Sequence, residues 1–228
     1  MKYKILLADA DGTLLDFAAA EKASILKTFS HFSLPADDEH YAIYHKANRA
    51  QWLLFEQGKT TQDKLKVERF RDYLELVNLE GNPQALSECF VGNLSEQRQI
   101  LDGSLSFVQR VSEHMPIHIV TNGIGAVQKS RFSNCEISPY LSGLYISEEI
   151  GKPKPDPTML FQALSDARIE NKQDALLIGD SINADIGAAN AAGIDSLLLW
   201  MSKSPLPENH GATYVATSFE EAIQIVLQ

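Results

Sequence analysis

The chain has 228 residues, 44% of them hydrophobic and 22% charged, and a formal net charge of −10. That length is enough for one α/β domain, or for a domain carrying a sizeable insert. The acidity argues against a role in coating nucleic acid, which needs a basic face. The apolar run after Met1 is too short for a signal segment or a membrane span. Cys89 and Cys135 fall in no metal-type spacing. Both are expected to be free thiols, in a chain located in the cytoplasm.

The first element is a buried strand, about Lys4–Ala8. It ends in Asp9-Ala10-Asp11, and Gly12-Thr13 then turn the chain. From Leu15 to about Leu101 no convincing strand appears, and apolar residues recur at helical spacing. Helices are predicted over Glu21–Phe32, from a cap at Asp37 or Asp38 to Gly58, from a cap at Thr61 to near Gly81-Asn82-Pro83, and over Gln84–Leu94. Alternation begins after Asp102-Gly103. Ser104 is expected to cap a helix to about Glu113, and Ile117–Val120 is a strand leading into Thr121-Asn122-Gly123. A helix Gly125–Asn134, a strand Leu144–Ser147 and a helix Thr158–Ala167 follow. After them come a strand Ala175–Ile178, an alanine-rich helix Ala184–Ala192, a strand Ser196–Trp200, a short strand at Tyr214-Val215 and a closing helix Phe219–Leu227. Strands alternating with helices imply an α/β fold with a doubly wound parallel sheet. The expected division is a core of residues 1–15 and 103–228, with a helical cap of residues 16–102 inserted after the first strand.

Polar residues mark four strand ends: Asp9 and Asp11, Thr121 and Asn122, Lys154, and Asp180 with Asp185. Each has an ordinary explanation alone. Asp-Gly is a common turn, Thr and Asn cap helices, and a lone lysine is usually solvated. Together they place carboxylates, hydroxyl and amide donors and a cation on one edge of one sheet, the edge where open α/β sheets bind ligands.

DADGTL at Asp9–Leu14, TNG at Thr121–Gly123, KPDP at Lys154–Pro157 and GDSINADIGAANAAG at Gly179–Gly193 resemble the four motifs of the haloacid dehalogenase (HAD) superfamily. The insert resembles the helical cap of that superfamily's C1 class. NRAQWLLFEQGKTT at Asn48–Thr61, TNGIGAVQKSRF at Thr121–Phe132 and YISEEIGKPKPDPTMLFQAL at Tyr145–Leu164 are similar to the pyrimidine 5′-nucleotidase branch.

The resemblance implies a Mg²⁺-dependent phosphomonoester hydrolase, with Mn²⁺ able to substitute. Asp9 is then the nucleophile, and Asp11 the general acid and base. Thr121, the Asn122 backbone N–H and Lys154 hold the phosphoryl group. An Asp9 oxygen, the Asp11 carbonyl and Asp180 bind the metal, and Asp185 acts one shell further out. Lys154 is preferred to Lys152 because it opens the matching KPDP unit. Phe17, Tyr44, Asn48, Trp52 and Phe55 are candidates to meet the leaving group, against the simpler reading that aromatics at helical spacing form the cap's own core.

The implied substrate is a small phosphomonoester, a nucleoside 5′-monophosphate with a pyrimidine base, and no nucleic-acid polymer or membrane is expected as partner. The alternatives are a sugar-phosphate phosphatase or phosphosugar mutase of the same fold, and a non-catalytic phosphate-binding protein. A receiver domain shares the strand-end aspartates but has no place for so long an insert.

Overall fold

In the computed structural model, which describes residues 1–201 and 204–228, six strands form one parallel sheet. They are β1 (Ile5–Ala8), β2 (Ile117–Thr121), β3 (Gly143–Ile146), β4 (Ala175–Gly179), β5 (Asp195–Leu199) and β6 (Tyr214–Ala216). Their order is β3-β2-β1-β4-β5-β6, so β1 is central, paired with β2 on one side and β4 on the other. The period-two rule shows along β1. Leu6 and Ala8 enter an apolar cluster that includes Phe107 and Phe219, while Ile5 and Leu7 enter a second with Leu160 and Ala188.

Helices α5 (Ser104–Ser112) and α10 (Phe219–Val226) cover the first face, and α8 (Thr158–Asp166) and α9 (Gly187–Ala192) the second. Burial on both faces explains why the strands read as continuous apolar runs. Two further core helices are α6 (Gly125–Ser133) and the single-turn α7 (Ser147–Ile150).

Between β1 and α5 the chain forms four helices: α1 (Phe17–His31), α2 (Asp38–Glu56), α3 (Gln62–Val77) and α4 (Pro83–Ser95). Phe29, Tyr44, Phe70, Tyr73 and Phe90 form their aromatic core, which Ile124 and Val127 of the sheet-side chain join. Phe29 and Tyr73 stack at 4.5 Å.

Several ends differ from the sequence reading, each for a local reason. Helix α1 begins at Phe17 because Asp16 accepts from the Ala19 N–H at 2.9 Å. Helix α3 stops at Val77 because Asn78 adopts a left-handed conformation, φ 51°. Gly103, at φ 86°, precedes α5 in place of a Ser104 cap, and the buried Ser104 hydroxyl has no partner among the described residues. The predicted helix Ala184–Ala192 is split into a π-helical turn, Ile182–Ile186, followed by α9. That turn carries Asp185, which contacts Lys154 in the site described below.

One polar cluster ties the insert together. Glu21 is fully buried. Its carboxylate accepts from the Asn48 amide at 2.5 Å and the Tyr41 hydroxyl at 3.1 Å, and His45 Nδ1 lies 2.6 Å away. Asn48 in turn accepts from Arg69 at 3.2 Å. The contact with Glu21 raises the His45 pKa above its ordinary value. A folded-state pKa above the unfolded one gives stability that is complete below about pH 6.5 and fades as pH rises through the folded value. His45→Gln should therefore lower the melting temperature more at pH 5.5 than at pH 9. Equal losses at both pH values would remove the ion pair as the cause.

Candidate active site

At the C-terminal edge of the sheet, Asp9 follows β1 and continues its pairing through an N–H bond to the Ile178 carbonyl at 2.9 Å. Lys154 points its ammonium into the same space and is buried to 1% exposure, whereas Lys152 is exposed. The three ammonium protons match three acceptors: Asp9 Oδ1 at 2.7 Å, Asp185 Oδ1 at 2.6 Å and the Val120 carbonyl at 2.6 Å. Asp185 thus orients the lysine through a direct contact. Its other oxygen accepts from the Ser181 N–H at 2.9 Å. Gly179 makes room for this, since a Cβ there would lie 2.3 Å from the Asp185 carboxyl carbon.

Asp180 joins from the end of β4. The Thr13 hydroxyl lies 3.4 Å from it and 3.3 Å from Asp9. A Cβ on Gly12 would meet Asp180 at 2.5 Å, and Gly12 sits at φ 89°. Both facts require glycine there.

Asp9, Asp180 and Asp185 offer carboxylate oxygens within 4.8 Å of one another. One buried ammonium faces three acids. Burial pushes the Asp9 carboxyl up to about 7 despite Lys154, and Asp180 goes well above the carboxylate range for the same reason, reinforced by Asp9. A set of hard oxygen donors with surplus negative charge fits a small divalent cation such as Mg²⁺.

Thr121, at the end of β2, accepts from the Gly123 N–H at 3.0 Å, and its own hydroxyl proton has no acceptor among the described residues. The Asn122 side chain does something the sequence did not suggest. It receives the Lys154 N–H at 2.8 Å and donates to the Lys154 carbonyl at 2.9 Å, fixing the lysine's backbone. From the insert, Gln62 donates to the Asn122 carbonyl at 3.0 Å.

Asp11 is held by a pair that sequence reasoning missed. Gln128 donates to one carboxylate oxygen and Arg131 to the other, both from α6. Arg131 is completely buried, and its Nε and Nη2 have no partner among the described residues. The i, i+3 spacing on one helix face was the available signal.

One cleft joins these groups to the insert. Its walls include Asp9, Asp11, Thr121, Lys154, Asp180 and Asp185 from the sheet side, and Phe17, Trp52 and Glu56 from the helices. Of the leaving-group candidates, Phe17 and Trp52 reach the cleft. Asn48, Tyr44 and Phe55 do not: Asn48 is buried against Glu21 and Arg69, Tyr44 lies in the aromatic core, and Phe55 packs edge-on against Trp52 at 5.7 Å. Glu56 was not anticipated.

Comparison with known proteins agrees with this arrangement. The family model of haloacid dehalogenase-like hydrolases matches residues 6–199. The chain belongs to this family. Among HAD relatives, it is 32% identical over 228 residues to the pyrimidine 5′-nucleotidase PynA of Streptococcus pneumoniae, covering 98% of this chain and 94% of that one. It is 28% identical over 226 residues to the pyrimidine 5′-nucleotidase YjjG of Escherichia coli, covering 99% of each. The HAD-hydrolase YfnB of Bacillus subtilis, in a crystal structure bound to magnesium, superposes with a TM-score of 0.92 at 28% identity over 99% of both chains. The HAD fold is thus present from end to end, and the protein is a hydrolase. No helix among the described residues is long and apolar enough to cross a membrane.

Proposed function

We propose that this HAD hydrolase is a Mg²⁺-dependent phosphomonoesterase acting through an aspartyl-phosphate, with nucleoside 5′-monophosphates, pyrimidine ones foremost, as its substrates. The observation that carries the hydrolytic reading is Asp9. It is a buried carboxylate held by Lys154 beside two further acids, at the floor of a cleft whose roof belongs to the helical insert. The insert, residues 16–102, acts in this reading as a cap over the core of residues 1–15 and 103–228.

An Asp9 oxygen attacks phosphorus, and the bond to the leaving oxygen breaks. Asp11 protonates that oxygen, then takes a proton from the water that attacks the aspartyl-phosphate and restores Asp9. Because Gln128 and Arg131 both donate to Asp11, the carboxylate stands in the geometry of a proton acceptor. Each oxygen accepts one of these bonds and keeps a second lone pair that can carry the proton of the acid step.

Thr121 offers its hydroxyl proton, and with the Asn122 N–H it receives the phosphoryl oxygens. Lys154 neutralises charge on Asp9. Asp9, Asp180 and the Asp11 carbonyl would hold Mg²⁺, with Asp185 fixing Lys154 behind them. The cation supplies electrostatic screening between two anions that otherwise repel in a poorly solvated cleft.

The pyrimidine preference rests on the similarity to PynA and YjjG. Phosphate release should be measured across nucleoside monophosphates and sugar phosphates. The expected outcome is faster turnover of uridine and thymidine 5′-monophosphates than of any sugar phosphate. A clear preference for sugar phosphates would favour the sugar-phosphatase alternative.

A further inference from the structure

Phosphate-handling groups occupy the sheet side of the cleft, so whatever the phosphate is attached to must extend toward Phe17, Trp52 and Glu56. Trp52 and Glu56 are one helical turn apart at the end of α2 and share a face. The first two are apolar walls that any leaving group could touch. Glu56 differs. It is half-buried, it has no hydrogen-bond or ion-pair partner among the described residues, and the charges that act on it are Asp185 and Lys154 across the cleft.

Asp9, Asp11 and Asp185, by contrast, each have a donor in contact. A half-buried carboxylate without a donor is expensive unless something supplies one. A carboxylate can only accept, so a matching group must bear O–H or N–H. A second anion brought to it would meet like charge in a confined, acid-rich space.

We propose that Glu56 selects the leaving group. It accepts hydrogen bonds from hydroxyl or N–H groups of an uncharged, donor-bearing leaving group and turns away one that carries a second anionic charge. The assignment rests on the phosphomonoesterase reading and narrows its substrates to esters of neutral polyols and nucleosides.

The test compares pairs that differ in the charge of the leaving group: glycerol 3-phosphate with 3-phosphoglycerate, which are similar in size, and uridine 5′-monophosphate with uridine 3′,5′-bisphosphate, which carries an added phosphate. For the wild type, kcat/KM should favour the neutral member of each pair by about tenfold or more. Glu56→Gln should shrink both ratios to about threefold or less, chiefly by raising the rate on the anionic member. Glu56→Asp, which keeps the charge, should retain the preference. Its retention also separates charge selection from a general loss of fit.

Equal wild-type rates on both members, or ratios unchanged in Glu56→Gln, overturn the proposal while leaving the hydrolase reading intact. If the glutamine variant lacks a cooperative melting transition, the wild-type ratios and the aspartate variant decide. A wild type that releases phosphate from none of the four compounds would overturn both readings, a result distinct from release without discrimination.

Discussion

Asp9→Asn should lower kcat by about 10⁴-fold or more while leaving the fold intact. The amide keeps the size of the carboxyl, and its carbonyl oxygen can still accept from the Lys154 ammonium now 2.7 Å away. It cannot form the phosphoryl ester that splits hydrolysis into two steps. The substitution also removes one of three acids crowded within 4.8 Å. Its melting temperature should therefore match or exceed that of the wild type in metal-free buffer. In the unaltered protein burial pushes the Asp9 carboxyl up to about 7, and the neighbouring Asp185 and Asp11 add to the rise. Activity of the variant within tenfold of wild type would remove Asp9 from the nucleophile's role.

Metal depletion should have the next largest effect. Dialysis against EDTA should abolish phosphate release, and Mg²⁺ or Mn²⁺ should restore it. A second readout is independent of turnover. Asp9 and Asp180 have folded-state pKa values above those of free carboxylates. For such groups the folded state favours the protonated form. Their contribution to stability is complete below about pH 4 and is lost as pH rises through the folded values. At pH 8, above the folded value of Asp9, the metal-free fold carries the penalty of ionising that group. A divalent cation relieves that penalty, so the rise in melting temperature on adding Mg²⁺ should be larger at pH 8 than at pH 5.5. Full activity after exhaustive chelation, with no Mg²⁺-dependent change in melting, would refute the metal assignment.

The strand framework was legible because each buried strand is a short apolar run, and polar residues stand out at its C-terminal end. Asp9, Thr121, Asp180 and, from the loop beyond β3, Lys154 were visible for this reason, and the structure gathers them on one cleft. Residues whose positions depend on how separate elements pack were not. Gln128 and Arg131 are polar positions on α6, and only the approach of α6 to the β1 turn makes them partners of Asp11. Glu56, the last residue of α2, carries no motif that marks it, and only the packing of the insert against the sheet side places it in the cleft. Asn48 was misjudged for a related reason. A polar residue among aromatics suggested a ligand, but its complement is the buried Glu21, which arrives from another helix. Local chemistry could not separate these destinations.

The strand order bears on how the chain is made. Leu6 on the central strand pairs with Ile117 on one side and Leu176 on the other. During synthesis the four-residue apolar strand Ile5–Ala8 therefore emerges long before either neighbour exists. The helices that follow it immediately, residues 17–95, form largely local contacts and can fold while the rest is still being translated. That insert is thus the first element able to fold after an otherwise unpaired, aggregation-prone strand has emerged. Shortening it should lower the yield of soluble protein during expression even where the completed sheet would tolerate the loss.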